Sequence, residues 1–201
     1  MLTQPTVYVV DDDSQVRESL TLLMNSMGLN VEAYASAEEF LEHYSDEPGP
    51  PRCLVLDVRM PGLSGLGLQE KLNGDGVQIP VIMITGYGNV PMAVQAMSCG
   101  ASDFIEKPFS RQTLLMRVQE AIDRDARQRT AQVHKAEITA RLNTLSQRER
   151  EVMDLLVTGD NSKHIASKLE ISEKTVAKHR AKVFQKMQVD SVAALVCLAL
   201  S

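Results

Sequence analysis

Six polar side chains stand where short apolar runs stop. Asp11, Asp12 and Asp13 follow "TVYVV", Asp57 closes "RCLVLD", Thr85 closes "VIMIT", and Lys107 comes just after "DFIE". Counted from Asp12, the intervals are 45, 28 and 22 residues. Adjacent carboxylates repel one another, and they become tolerable when they share a divalent cation. An oxygen-only donor set with open positions suits Mg²⁺. A carboxylate beside such a cation can attack a phosphoryl group, the metal and a nearby lysine offsetting the charge on the transferring oxygens. A threonine hydroxyl at the same edge can hydrogen-bond the transferred group. Taken singly, each signal is ordinary: "DDD" reads as solvated surface or a helix cap, Lys-Pro as a turn, "TG" as a strand end. Their order, each closing its own apolar run, carries the argument.

The elements that must position these groups alternate. Apolar runs at 6–10, 52–56, 79–84 and 103–105, with a weaker one at 30–34, read as strands. Amphipathic segments at 14–28, 37–44, 65–73, 90–99 and from 110 onward read as helices. Gly/Pro-rich joints separate them: "EPGPP", "MPGLSG", "GDG" and "TGYGN". Five strands alternating with five helices predict an α/β fold, a parallel doubly wound (βα)₅ sheet with helices on both faces. In such a sheet ligands sit beyond the carboxyl ends of the strands, which is where Asp11, Asp12, Asp57, Thr85 and Lys107 fall.

Charge divides the chain. Residues 1–123 hold 7 basic and 17 acidic side chains, a balance of −10, whereas residues 124–201 hold 14 and 9, a balance of +5. Two domains with different partners are expected. Aromatic content is low at 4% and there is no tryptophan, so the cores are expected to be built chiefly from Val, Ile, Leu, Met and Ala. No run of about 18 apolar residues is present, which excludes a helical membrane span. The opening "MLTQPTVYVVDDD" has neither a basic n-region nor a cleavage site. Cys53, Cys99 and Cys197 are odd in number and lie in apolar surroundings, so all three are expected to be buried free thiols of a cytoplasmic protein.

No Gly or Pro occurs between Pro108 and Gly159. The stretch 111–142 is rich in helix formers, and its apolar stripe of Leu114, Leu115, Val118 and Ile122 thins to Ala126, Val133 and Ile138. It predicts a helix whose first third packs on the sheet and whose remainder, 124–142, is a solvent-exposed helical linker. From Leu145 three or four short helices follow, starting at "LSQRE", "NSKHIA" and "ISEKT". Ser146 with Glu149 has capping-box spacing, and Ser172 is placed at an N-cap. The last of these helices puts Val176, Val183 and Met187 inward and Lys174, Thr175, Lys178 and Lys182 outward. A row of cations with a hydroxyl, behind a tight turn and another helix, is what a helix-turn-helix brings to the major groove.

The motifs "VVDDD", "LVLDVRMPGLSG", "ITGYG" and "GASDFIEKPF" resemble those of the receiver domain of two-component response regulators, over the whole of residues 1–123. That resemblance implies a flavodoxin-like fold with Asp57 as phosphoacceptor. It also implies Mg²⁺ on Asp12, Asp57 and the Arg59 carbonyl, with Asp11 assisting through water. Thr85 and Lys107 would read the phosphoryl group, Phe104 would take the switch-aromatic position, and Lys107–Pro108 would be cis. Asp13 is assigned no metal bond. Residues 143–201, through "LSQREREVM", "NSKHIASKL" and "TVAKHRAKVFQKMQV", resemble the all-α, four-helix LuxR-type DNA-binding domain. The DNA contacts implied are Lys174, Thr175, Lys178 and Lys182, with His179 either touching a phosphate or partly packed. The segment "SVAALVCLAL" (191–200) closes that core or pairs protomers. One departure is Asp160 in "GDNSKHIA", where an uncharged residue is usual.

Together the two resemblances imply a response regulator of the FixJ/NarL family, and "TGYGNVPMAVQAM" looks more like the FixJ branch. The expected partners are a sensor histidine kinase, double-stranded DNA, a second copy of the chain on phosphorylation and, as a further candidate, RNA polymerase. A Mg²⁺-dependent aspartyl-phosphate phosphatase is opposed by the nucleophile's place on the third strand and by the lack of a cap domain, so no enzyme is expected. An RNA-binding output is opposed by the lack of stacking aromatics after residue 143.

Overall fold

The computed structural model describes residues 4–86 and 88–199. The opening Met1–Thr3, Tyr87 of the "TGYGN" joint, and Leu200 and Ser201 at the end of the predicted second domain lie outside them. The described residues form two compact units, divided between Arg129 and Thr130.

The first unit alternates β1 (Thr6–Val10), α1 (Ser14–Asn25), β2 (Asn30–Tyr34), α2 (Ala37–His43), β3 (Arg52–Asp57), α3 (Gly65–Gly74), β4 (Val81–Thr85), α4 (Val90–Ser98), β5 (Asp103–Glu106) and the first part of α5 (Arg111–Asn143), whose residues from Thr130 on belong to the second unit. Its strands make one parallel sheet in the order β2-β1-β3-β4-β5. β3 is buried at all six positions, as a central strand covered on both faces must be. Its alternate residues serve two cores. Leu54 and Leu56 join Val10, Phe40, Leu68, Leu72 and Met83 on one face. Cys53 and Val55 join Val7, Val9, Leu20, Ile82, Ile84, Leu114 and Val118 on the other.

Boundaries differ from the sequence reading for local reasons. β4 starts at Val81 rather than at 79, because Pro80 has no N–H and contributes only its carbonyl, which accepts from Leu54 N. α1 ends at Asn25 rather than 28, in a turn that reaches positive φ at Gly28. α5 also contacts the sheet beyond Ile122. Asp125 is 1% exposed and its Oδ2 accepts from Arg52 N, at the start of β3, and from Arg129 Nε. The carboxylate satisfies a strand amide that has no sheet neighbour, since β4 pairs with β3 only from Leu54.

The second unit contains α6 (Gln147–Val157), α7 (Ser162–Lys168), α8 (Glu173–Met187) and α9 (Val192–Ala199). Val152, Leu156, Ile165, Val176, Val183, Met187 and Leu195 form its core. The expectation of three buried thiols is corrected: Cys53 is buried, but Cys99 is half-buried and Cys197 exposed. α9 buries Leu195 fully and packs Val192 and Leu198 partly against the same core.

Candidate functional site

Parallel register brings the strand ends together: Val10 lies opposite Leu56, Asp57 opposite Ile84, and Thr85 opposite Glu106. The three consecutive acids then separate into three roles. Asp11 turns inward and is 1% exposed. Asp13 caps α1, its Oδ1 accepting from Gln15 N and Val16 N at 2.8 and 3.4 Å. Asp12, between them, is left exposed.

Lys107 joins the ends of β1 and β3. Its Nζ lies 2.7 Å from Asp11 Oδ2 and 2.8 Å from Asp57 Oδ1. The other oxygens accept backbone amides: Asp57 Oδ2 takes Arg59 N at 2.7 Å, and Asp11 Oδ1 takes Asp13 N at 2.9 Å. Lys107 is held in turn by its own N–H to Thr85 O at 2.7 Å, and the Lys107–Pro108 bond is cis. Thr85 is buried at the end of β4, and Phe104 is half-buried on β5. α3 begins so close to the end of β3 that a Cβ on Gly65 would lie 2.1 Å from Asp57 O, so only glycine fits there.

Electrostatics follow the geometry. Burial pushes the Asp57 carboxyl above the ordinary aspartate value. Lys107 and the Arg59 N–H pull against this, and the Asp11 charge adds to it. Burial works against the Lys107 ammonium, but its hydrogen bonds to Asp11 and Asp57 outweigh that and hold its pKa above the usual lysine value.

Two of the expected metal-binding side chains, Asp11 and Asp57, therefore converge on a single ammonium. Asp12 and the Arg59 residue are exposed at the rim, and among the described residues no three side chains of ligand type form a ready-made set. The donors present still fit Mg²⁺. Two carboxylates share one cation, a neighbouring acid faces solvent, and Mg²⁺ keeps several waters rather than demanding an all-protein cage.

In the second unit the capping box of α6 is present, with Ser146 Oγ accepting from Glu149 N and Glu149 Oε2 from Ser146 N. Asn161 caps α7, Glu170 takes a left-handed conformation in the turn, and Ser172 caps α8. Lys174, Lys178 and Lys182 are exposed along α8. Thr175 is half-buried and its Oγ1 lies 2.8 Å from Ser172 Oγ, so its hydroxyl is engaged at the cap. His179 is half-buried with its Nδ1 enclosed and without a hydrogen-bond partner, which favours the packed setting over a phosphate contact. Asp160 does not present a bare negative charge, because Lys168 pairs with it at 2.8 Å.

Residues that sequence reasoning passed over also matter. Lys186 continues the lysine row but turns back to Glu149 Oε2 at 2.6 Å and Thr144 O at 2.8 Å. That ammonium, with the Ser146 N–H, pulls the Glu149 carboxyl down to about 2. The +4 spacing from Lys182 hid this role, since nothing local distinguishes a groove-facing lysine from a paired one.

Comparison with known proteins matches both units. Residues 7–119 match the response regulator receiver domain family, and residues 143–199 match the luxR family of bacterial regulatory proteins. The chain is 46% identical over 194 residues to Nodulation protein W of Bradyrhizobium diazoefficiens, covering 96% of this chain and 85% of that protein. It is 45% identical over 194 residues to the transcriptional regulatory protein FixJ of Azorhizobium caulinodans, covering 96% and 91%. The solved structure of the response regulator StyR is similar at 43% identity and a TM-score of 0.90, covering 98% of each chain.

Proposed function

The chain belongs to the response regulators that join a receiver domain to a LuxR-type DNA-binding domain, a family of transcription regulators rather than enzymes, and from that premise we propose that Asp57 accepts a phosphoryl group and thereby governs DNA binding by α8. The observation that carries this reading is the Lys107 ammonium shared by Asp11 and Asp57 at the carboxyl ends of β1 and β3.

The donor is a phosphohistidine of a partner histidine kinase. An Asp57 carboxylate oxygen forms a bond to phosphorus as the P–N bond to the kinase imidazole breaks, and the imidazole leaves with the electron pair. Receiver domains typically use Mg²⁺ for this step; Asp57, Asp12 and the Arg59 carbonyl, with Asp11 through water, would hold the ion, which would supply positive charge against the transferring oxygens. Arg59 N–H holds Asp57 Oδ2 and Lys107 holds Oδ1, so both carboxylate oxygens are positioned before transfer. Lys107 then passes from the carboxylates to the new phosphoryl oxygens, and the Thr85 hydroxyl donates to another. Phe104 follows Thr85 inward, and the changed α4–β5 face pairs two receivers. Pairing raises the local concentration of two DNA-binding domains on adjacent half-sites. Among the described residues no helix is long and apolar enough to cross a membrane.

Labelling with acetyl phosphate tests the acceptor. Wild type should take up close to one phosphoryl group in Mg²⁺ and none in excess chelator, and Asp57→Asn should take up none. Stoichiometric, Mg²⁺-dependent labelling of Asp57→Asn would remove the assignment.

A further inference from the structure

We propose that Glu38 is a positioning residue for the turn that follows the phosphoacceptor, setting the Arg59 carbonyl for the metal. The inference rests on the metal reading of Asp57 and Arg59 given above.

The turn runs from Val58 to Ser64 between β3 and α3. Its two ends are fixed by backbone bonds, Val58 N to Ile84 O at 2.9 Å and Gly65 N to Val58 O at 3.1 Å. Between them Arg59 N is bound to Asp57 Oδ2 and Met60 is buried in the core, which leaves the far limb, Pro61 to Ser64, as the part of the turn that must be held from elsewhere. That limb is held from outside. Glu38, in the first turn of α2, reaches across 25 residues of sequence, and its Oε1 accepts from Leu63 N at 2.9 Å.

Gly62 explains why the carboxylate fits so closely. Gly62 has φ +75°, a left-handed conformation, and a Cβ there would lie 2.7 Å from Glu38 Oε1. The carboxylate therefore occupies the space that any other residue at 62 would fill. The Leu63 N–H holds the Glu38 carboxyl below the usual glutamate range, so the accepting form persists at neutral pH. Glu38 acts on the turn through Leu63 and Gly62 and not on the acceptor itself. An acid in the first turn of a helix is well explained by the helix dipole alone. The dipole, however, does not require contact with a backbone amide beside the acceptor loop.

The test uses the full chain with Glu38→Ala and Glu38→Gln. Hydrogen exchange should speed up in the 58–65 peptide of Glu38→Ala while peptides from β1 and β4 exchange as in wild type. Mg²⁺ raises the melting temperature of whatever binds it. The Mg²⁺ concentration for half-maximal stabilisation should rise about threefold in Glu38→Ala, as expected for loss of one exposed hydrogen bond. Glu38→Gln, whose amide oxygen still accepts from Leu63, should return both readouts towards wild type. An unchanged Mg²⁺ midpoint in Glu38→Ala overturns the inference, as does a Glu38→Gln variant as impaired as Glu38→Ala. A wild-type chain whose melting temperature ignores Mg²⁺ would instead overturn the metal reading, and this inference with it.

Discussion

Lys107 Nζ lies 2.8 Å from Asp57 Oδ1, and the same nitrogen is 2.7 Å from Asp11 Oδ2. This one ammonium lies between two carboxylates that are 1% and 6% exposed, and it supplies the positive charge that both of them contact. On the reading proposed above, this ammonium would give up one of its two partners to a phosphoryl group on Asp57.

Lys107→Ala should lower the stability of the metal-free receiver by roughly 2 kcal/mol, because two buried charges lose their shared partner. Mg²⁺ should restore most of it. The rise in melting temperature on adding Mg²⁺ should thus be larger in the variant than in wild type. Thermal unfolding with Mg²⁺ and with chelator measures both increments; equal increments would show that Lys107 is not the counter-ion.

Asp125→Ala should cost the receiver about 2 kcal/mol, since the Arg52 amide is left without a partner and the Arg129 guanidinium loses its carboxylate. Asp125→Asn should cost less, its amide oxygen still accepting from Arg52 N. Urea unfolding followed on the receiver transition separates the two. Equal stability of Asp125→Ala and wild type would mean that water replaces the bond.

Much of the first unit was legible because its signals are local. Val7, Val9, Leu54 and Val55 sit in runs whose apolar character survives any context, and the polar residue that ends each run lands at the sheet's carboxyl edge. Asp125 gave no such signal: it reads as one more charge on a helical face, and its partner amide is 73 positions away. The same holds for Glu38 and Leu63. The acid triplet was legible as a group but not in detail. Which acid turns inward depends on where the α1 cap begins, and Asp13 takes that cap. In the second unit the helix face was read correctly for Lys174, Lys178 and Lys182. Thr175 and His179 were placed by face alone, and packing against Ser172 and the enclosure of Nδ1 are tertiary facts.

Glu149→Gln should destabilise the DNA-binding unit at neutral pH and matter little in acid. In the folded unit the Lys186 ammonium and the Ser146 N–H hold the carboxyl at about 2, well below the usual glutamate value. A lowered folded pKa gives stability that is complete above the unfolded value and lost as pH falls through the folded one. The gap in melting temperature between wild type and Glu149→Gln should therefore be full at pH 7 and shrink from about pH 4.5 towards pH 2. Thermal melts followed by helical circular dichroism measure it, and a gap that stays constant over that range would mean that Lys186 does not act through charge.

Lys178→Ala and Lys182→Ala should each weaken binding to duplex DNA, and in different ways. Both side chains are exposed on the face of α8 opposite Val176, Val183 and Met187, which the unit's core fixes in place. A helix entering the major groove reads base edges from its N-terminal part and meets the backbone further along. Lys178 lies nearer the N-terminal end, so its loss should relax preference at one base-pair position, at about 1–3 kcal/mol of discrimination. Lys182, one turn further on, should act through phosphate. Its loss should lower affinity evenly across sequences and flatten the dependence of log affinity on log salt by about one unit. Lys186 is already paired with Glu149, so Lys186→Ala should leave that salt slope unchanged while lowering the melting temperature. Gel shifts or anisotropy titrations across salt concentrations and across single base-pair variants of a bound site measure all three. If Lys178→Ala and Lys182→Ala bind as wild type does, α8 is not in the groove. If Lys186→Ala flattens the salt slope as Lys182→Ala does, the pairing with Glu149 gives way on DNA and the row of lysines is longer than the unbound structure indicates.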